Sequence, residues 1–140
     1  MTPTIYTFGY AGKTLADLET VARERNALVI DVRFAPFSRS SPEWAKSTLA
    51  VRLPRYAWLK AFGNENYRGG PIRIMDYLAG LSQMQARLWA DESPLLLCVC
   101  SKVETCHRSQ LANRLHADLG WPIEHLGVPR PKARQGGLFT

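Results

Sequence analysis

At 140 residues with 46% hydrophobic content, the chain is long enough to bury one real core. No apolar run approaches the ~20 residues that span a bilayer. The opening MTPTIYTFGY lacks the basic start and long apolar centre of an export signal, so a cytoplasmic location is expected. Three cysteines, an odd number, argue against a disulfide framework and leave thiols or metal ligands.

The net charge is +6, and it is concentrated. Between Arg33 and Arg73, eight basic residues stand against two acidic ones, while the rest of the chain is balanced. Arginine outnumbers lysine thirteen to five, and its planar fork suits phosphate and carboxylate. A nucleic acid or another polyanion is therefore the expected partner, against the blander reading of a solvated basic surface.

In chain order, TIYTFGY (residues 4–10) alternates β-branched and aromatic residues and reads as a first strand. Gly12 and Lys13 make a turn. Thr14 then caps a helix running to about Arg25, with Leu15, Leu18, Val21 and Ala22 on one face. ALVIDV (27–32) is a continuous apolar run, the mark of a strand covered on both faces, and Asp31 sits at its end. A loop, RFAPFSRSS, follows. Ser41, Pro42 and Glu43 predict a helix start. YAWL (56–59) predicts a short strand, and residues 60–72 a loop punctuated by glycine, asparagine and proline. A helix over 75–91 is predicted with Met75, Leu78, Leu81, Met84 and Leu88 on one stripe. Leu95–Cys100 reads as a second buried strand, 106–119 as a helix with Leu111, Leu115 and Leu119 inward, and 122–126 as a last strand.

Strands and helices alternate. That pattern implies an α/β fold: a single three-layer domain over residues 1–127, a mostly parallel sheet with helices on both faces, and right-handed crossovers. Ligands in such folds bind beyond the carboxyl ends of the strands. The loops after Tyr10, after Arg33 and after Cys100 should meet there, with the Gly-rich loop near Asn64 closing over them. Residues 128–140 form a polar, Pro/Gly-rich tail.

The richest stretch is PLLLCVCSKVETCHR (94–108). Cys98 and Cys100, two apart on a strand, share a face. Cys106, His107 and Arg108 open the next helix, where unpaired N–H groups and a neighbouring guanidinium favour a thiolate. Cys100 and Cys106 are read as functional thiols and His107 as an acid/base, while Cys98 is read as core. A metal site is disfavoured. The spacing is not a usual zinc pattern, and consecutive helical residues such as Cys106 and His107 diverge by ~100°. No cofactor and no metal are assigned. Arg108 has a structural alternative, a salt bridge to Asp31 or Glu104; the buried Asp31 needs a partner, which Arg33 or Arg108 can supply. His116 and His125 receive no role. A phosphatase-like reading fails, since the position that should be arginine after Cys100 is Cys106.

Four ordered motifs, TFGYAGKT, VIDVRFAPFSRS, FGNENYRGGPI and LLLCVCSKVETCHRSQLANRL, together resemble the domain-of-unknown-function family 488 over residues 4–126. Many members carry Glu two residues after the first strand cysteine; this chain has Cys100 there, as in one branch of the family. The resemblance implies the α/β fold and a shared site of Gly9, Tyr10, Asp31, Arg33, Asn64, Arg68, Cys106, His107 and Arg108. It implies no established activity.

The chain ends QGGLFT. Gln135, Leu138 and Phe139 fit the Gln-x-x-Leu-Phe peptide that binds the bacterial DNA sliding clamp, with Gly136 a departure from its usual aliphatic residue. The expected function is thus a small bacterial enzyme acting on a nucleic acid or nucleotide in DNA repair or modification, through an Arg/Cys/His anion site. The alternatives are a non-catalytic nucleic-acid or phosphate-binding module recruited to the clamp, and a small metal-binding protein.

Overall fold

The two continuous apolar runs become neighbouring inner strands. In the computed structural model, which describes residues 2–37, 40–99 and 106–126, Ala27–Asp31 (β2) and Ser93–Cys98 (β4) are buried along their whole lengths. Ile5–Gly9 (β1), Tyr56–Trp58 (β3) and Ile123–Leu126 (β5) complete a five-stranded sheet in the order β3-β2-β4-β1-β5. Every pairing is parallel.

Four helices cover the sheet: Leu15–Glu24 (α1), Lys46–Arg52 (α2), Tyr77–Arg87 (α3) and His107–Leu119 (α4). Side-chain alternation divides the core in two. Val29, Leu95 and Leu97 pack with Leu15, Leu18 and Leu49, from α1 and α2. Leu28, Ile30, Leu96 and Cys98 pack on the opposite face with Tyr77, Met84, Leu111 and Leu115, from α3 and α4. The arrangement is a three-layer α/β domain with a parallel sheet, as the alternation implies.

Local chemistry sets the helix ends. Thr14 and Asp17 form a reciprocal capping box at the start of α1, with bonds of 3.1 and 2.9 Å. Asp76 accepts from the Ala79 N–H and begins α3. Gly120, at φ 75, supplies the left-handed residue that ends α4.

Three expectations need correction. The helix predicted from Ser41 is a 3-10 turn, Pro42–Trp44, followed after the extended Ala45 by α2. The predicted stripe on α3 holds in part: Met84 is buried and Leu81 and Leu88 pack on the core, but Met75 and Leu78 are 46% and 70% exposed, and Tyr77 and Gly80 face inward instead. The second buried strand spans Ser93–Cys98 rather than Leu95–Cys100, and Cys100 lies outside the described residues. Among the described residues, no helix is long and apolar enough to cross a membrane.

The topology opens a crevice. β1 leads to α1 on one face, whereas its neighbour β4 leads to α4 on the other. Loops leaving their carboxyl ends diverge, which is the usual ligand position in open parallel sheets.

Candidate functional site

A cavity of about 300 Å³ lies at that crevice. The loop after β1 contributes Tyr10, and the loop after β2 contributes Arg33, Phe34, Ala35 and Pro36. Cys98, Val99, Cys106 and His107 come from the β4–α4 corner, and Asn64, Tyr67 and Ile72 from the glycine-rich loop. Backbone bonds hold the convergence together. Tyr10 N–H and Ala11 N–H donate to the carbonyls of Cys98 and Val99, and Val32 N–H donates to Leu97.

One wall is electrostatic. Asp31 is fully buried and paired with Arg33, whose Nε and a terminal nitrogen reach its two oxygens at 2.8 and 2.6 Å. The Arg33 backbone N–H also donates to Asp31, as does the Tyr56 hydroxyl at 2.6 Å. Burial alone would lower the Arg33 pKa, but its bonds and charge contact with Asp31 raise it above the ordinary value. Burial and then the adjacent carboxylate push the Tyr56 hydroxyl up, so it remains a donor. Trp58 Nε1–H donates to the Arg33 carbonyl at 2.8 Å. The remaining Arg33 nitrogen points to the Tyr10 hydroxyl at 3.4 Å, and Tyr10 itself stacks on Trp44. Since the pair with Asp31 is neutral overall, Arg33 offers a ligand directed N–H donation more than net charge.

The floor carries the reactive atoms. Cys98 and Cys106 are buried, with their sulfurs 2.6 Å apart. Cys106 is the N-cap of α4 and has extended backbone, φ −94 and ψ 141. His107 Nε2 lies 2.8 Å from the Val32 carbonyl. A carbonyl oxygen only accepts, so Nε2 carries the hydrogen and the lone pair is on Nδ1. Burial is the main cause that lowers the His107 pKa, and the imidazole is neutral at pH 7. Arg108 is 1% exposed behind the floor, a terminal nitrogen 3.9 Å from the Cys98 sulfur.

Of the residues named from the sequence, Tyr10, Arg33, Asn64, Cys106 and His107 share this cavity. Gly9 is buried in β1, in register with Cys98, and Asp31 lies behind Arg33. Asn64 spends its carbonyl oxygen on the N–H groups of Asn66 and Arg73, pinning its own loop. Arg68 is exposed and bonded to the Tyr67 hydroxyl, outside the lining. Arg108 supports the floor and does not line the cavity. Cys100, Gln135, Leu138 and Phe139 fall outside the described residues. Cys98, read from sequence as core, is both buried and part of the cavity floor. Tyr56 and Trp58 receive no role in the sequence reading, which places them on a short strand, YAWL, with no sign that they face Asp31 and Arg33.

A larger cavity, about 410 Å³, lies at the amino ends of the strands. Of its three arginines, two are engaged within the protein: Arg55 with Glu92, and Arg52 with Glu19. Among the described residues, no sulfur or histidine lines it, so the reactive chemistry belongs to the carboxyl end.

Fold and site define a parallel α/β domain whose ligand cavity has an arginine–aspartate wall and a floor of sulfur and imidazole. The model of the domain of unknown function DUF488 matches residues 14–115, and the chain belongs to that family. No curated protein and no solved structure gives a significant match.

Proposed function

We propose that the chain is a thiol-dependent cytoplasmic enzyme acting on a nucleotide or on nucleic acid. The observation that carries this reading is the meeting of Tyr10 and Arg33 with Cys106 and His107 around one cavity. Phe34 and Tyr67, stacked at 5.5 Å, offer an aromatic wall for a base. Arg33 donates to an anionic group of the ligand. Once its disulfide bond is reduced, Cys106 is the nucleophile, and His107 Nδ1 takes the thiol proton. Arg108 stabilises negative charge on sulfur from below. Cys100 is a second candidate thiol.

The test is to screen the reduced chain against nucleotides and short oligonucleotides for turnover. The Cys100→Ser/Cys106→Ser double variant should remain folded and lose all measurable activity. His107→Gln should lose about 10²–10⁴-fold in rate, the usual share of a general base. Full activity in the double variant removes the thiol mechanism.

A second reading, a non-catalytic nucleic-acid-binding module, rests on the rim. Lys60 lies over Phe34, Arg68 over Tyr67 and Lys46 over Trp58, at 4.7, 5.4 and 5.5 Å from the ring centres. This basic, aromatic border suits a phosphate backbone with unstacked bases. Under it, thiol alkylation leaves binding intact, and affinity falls steeply with salt; a flat salt response counts against it. For either reading we propose recruitment to the DNA sliding clamp through Gln135, Leu138 and Phe139, in a DNA repair setting. Leu138→Ala/Phe139→Ala should abolish clamp binding, and retained binding would remove that partner.

A further inference from the structure

We infer that the cavity takes a phosphodiester with a single charge, an internal linkage of a nucleic-acid strand, in preference to a terminal phosphate with two. The inference rests on the nucleotide reading and names the group that Arg33 meets. A guanidinium has five N–H groups. On Arg33, Nε–H and one hydrogen of a terminal nitrogen go to Asp31, and the other terminal nitrogen donates one to the Tyr10 hydroxyl. Two remain, one on each terminal nitrogen. Asp31 takes the side formed by Nε and its neighbour, so the remaining pair lies at the tip, an arrangement that meets two oxygens of one phosphate. Tyr10 accepts from Arg33 and keeps its own hydrogen to donate. Both side chains line the cavity.

Charge decides between phosphates. Among the described residues that line the cavity, Arg33 is the one with a full charge, and Asp31 behind it cancels that charge at 2.6 Å. His107 is neutral at pH 7, because burial above all lowers its pKa. Cys106 is tied in a disulfide and adds no thiolate. Arg108 lies behind the floor with contacts of its own, outside the lining. Such a site supplies directed donors without surplus positive charge. It satisfies one negative charge spread over two oxygens. A second charge loses its water and finds no counter-charge. A terminal phosphomonoester carries that second charge above about pH 6, and an internal phosphodiester never does. The flanking phosphates of a strand find their cations outside the cavity: Lys60, Arg68 and Lys46 stand at the rim over Phe34, Tyr67 and Trp58.

The test needs no activity. The full chain is titrated with three matched probes, thymidine 5′-monophosphate, its methyl diester and its neutral dimethyl triester, at a series of pH values from 5 to 8. The diester should bind with little pH dependence, and it controls for any titration of the protein. The monoester should match it at the acid end and weaken about tenfold per pH unit above about pH 6, as its singly charged form disappears. The triester should bind more weakly than the diester. Tyr10→Phe leaves the Asp31 pair intact; it should cost the diester about tenfold in affinity, the worth of one bond to a charged group, and keep the monoester's pH slope. Asp31→Asn leaves the Arg33 charge uncancelled and should flatten that slope; where this variant does not fold, the wild-type probes decide alone. A monoester that binds as tightly as the diester at pH 8 overturns the inference, and so does a triester that matches the diester. Methyl phosphate and dimethyl phosphate, run the same way, separate this from the nucleotide reading. A preference for dimethyl phosphate with no binding of the thymidine probes sustains the phosphate selectivity and removes the nucleotide. Thymidine probes that bind with a preference for the doubly charged one do the reverse, and no binding of any probe removes both. A short oligothymidylate should bind more tightly than the methyl diester and lose that advantage as salt rises; no gain overturns the strand as the source of the diester.

Discussion

Asp31 shows how much one buried carboxylate organises. Its two oxygens receive four donors: the Arg33 backbone N–H, two guanidinium nitrogens and the Tyr56 hydroxyl. Removing Arg33 strands a fully buried charge, which costs about 3–5 kcal/mol. Removing only the Tyr56 hydroxyl deletes one bond to a charged acceptor, worth about 1.5–3 kcal/mol. Urea unfolding of Arg33→Ala and Tyr56→Phe should rank them in that order, with Arg33→Ala the more damaging. Equal losses, or none, would mean that water replaces the missing donors. The Asp31–Arg33 pairing was one of two options legible in the sequence, since an acid ending an apolar run needs a cation and Arg33 or Arg108 could serve. Tyr56 was not legible, because its approach depends on β3 pairing with β2 in a particular register. Nor was the Cys98–Cys106 contact, which depends on the path between β4 and α4 rather than on spacing.

Among the elements, α3 shows where periodicity misleads. The stripe read from Met75 through Leu88 counted only apolar residues. The helix starts later, after the Asp76 cap, and directs Tyr77 and Gly80 inward beside Met84, which the stripe did contain. Neither Tyr77 nor Gly80 looks like core in a pattern of aliphatics. Tyr77 hides its ring and donates its hydroxyl to Asp118 on α4 at 2.7 Å, tying the two helices of one layer. Gly80 is a socket for Phe62: a Cβ there would lie 2.3 Å from the Phe62 ring. Alanine favours a helix over glycine by about 1 kcal/mol. The overpacking cost of about 1–3 kcal/mol exceeds it, because the ring is buried and has few ways to withdraw. Gly80→Ala should therefore lower the urea midpoint, and a raised midpoint would show that Phe62 moves freely. The strands were easier to read than this helix. Burial on both faces leaves β2 and β4 as unbroken apolar runs, so their existence was plain, while the sheet order was not written in them.

At the scale of the whole molecule the two ends of the sheet are built differently. The carboxyl end holds the sulfur, imidazole and guanidinium groups around an open cavity. The amino end, roughly 15–20 Å away along strands of five or six residues, is stapled. Arg55 just before β3 and Glu92 just before β4 join by a two-pronged ion pair across the start of β2, with Arg55 Nε at 2.7 Å from a Glu92 oxygen. The same guanidinium lies over the Trp89 ring at 3.6 Å and donates to the Arg87 carbonyl. Burial pushes the Glu92 carboxyl up, but the bonds from Arg55 and the Trp89 N–H outweigh it and bring it below its usual 4.5. A carboxylate with a lowered folded pKa contributes stability above the unfolded value and loses it as pH falls. The staple is thus intact at neutral pH and weakens below about pH 4.5. Thermal midpoints recorded from pH 7 down to pH 3 should fall less steeply in Glu92→Gln than in the wild type, because the variant has already lost the titrating group. At pH 7 the variant should melt earlier, yet bind nucleotide as the wild type does, since the altered contact lies at the opposite end of the sheet from the cavity. Parallel acid slopes in the two proteins would move the acid sensitivity elsewhere, and a binding defect at pH 7 would mean that the two ends are coupled through β2 and β4.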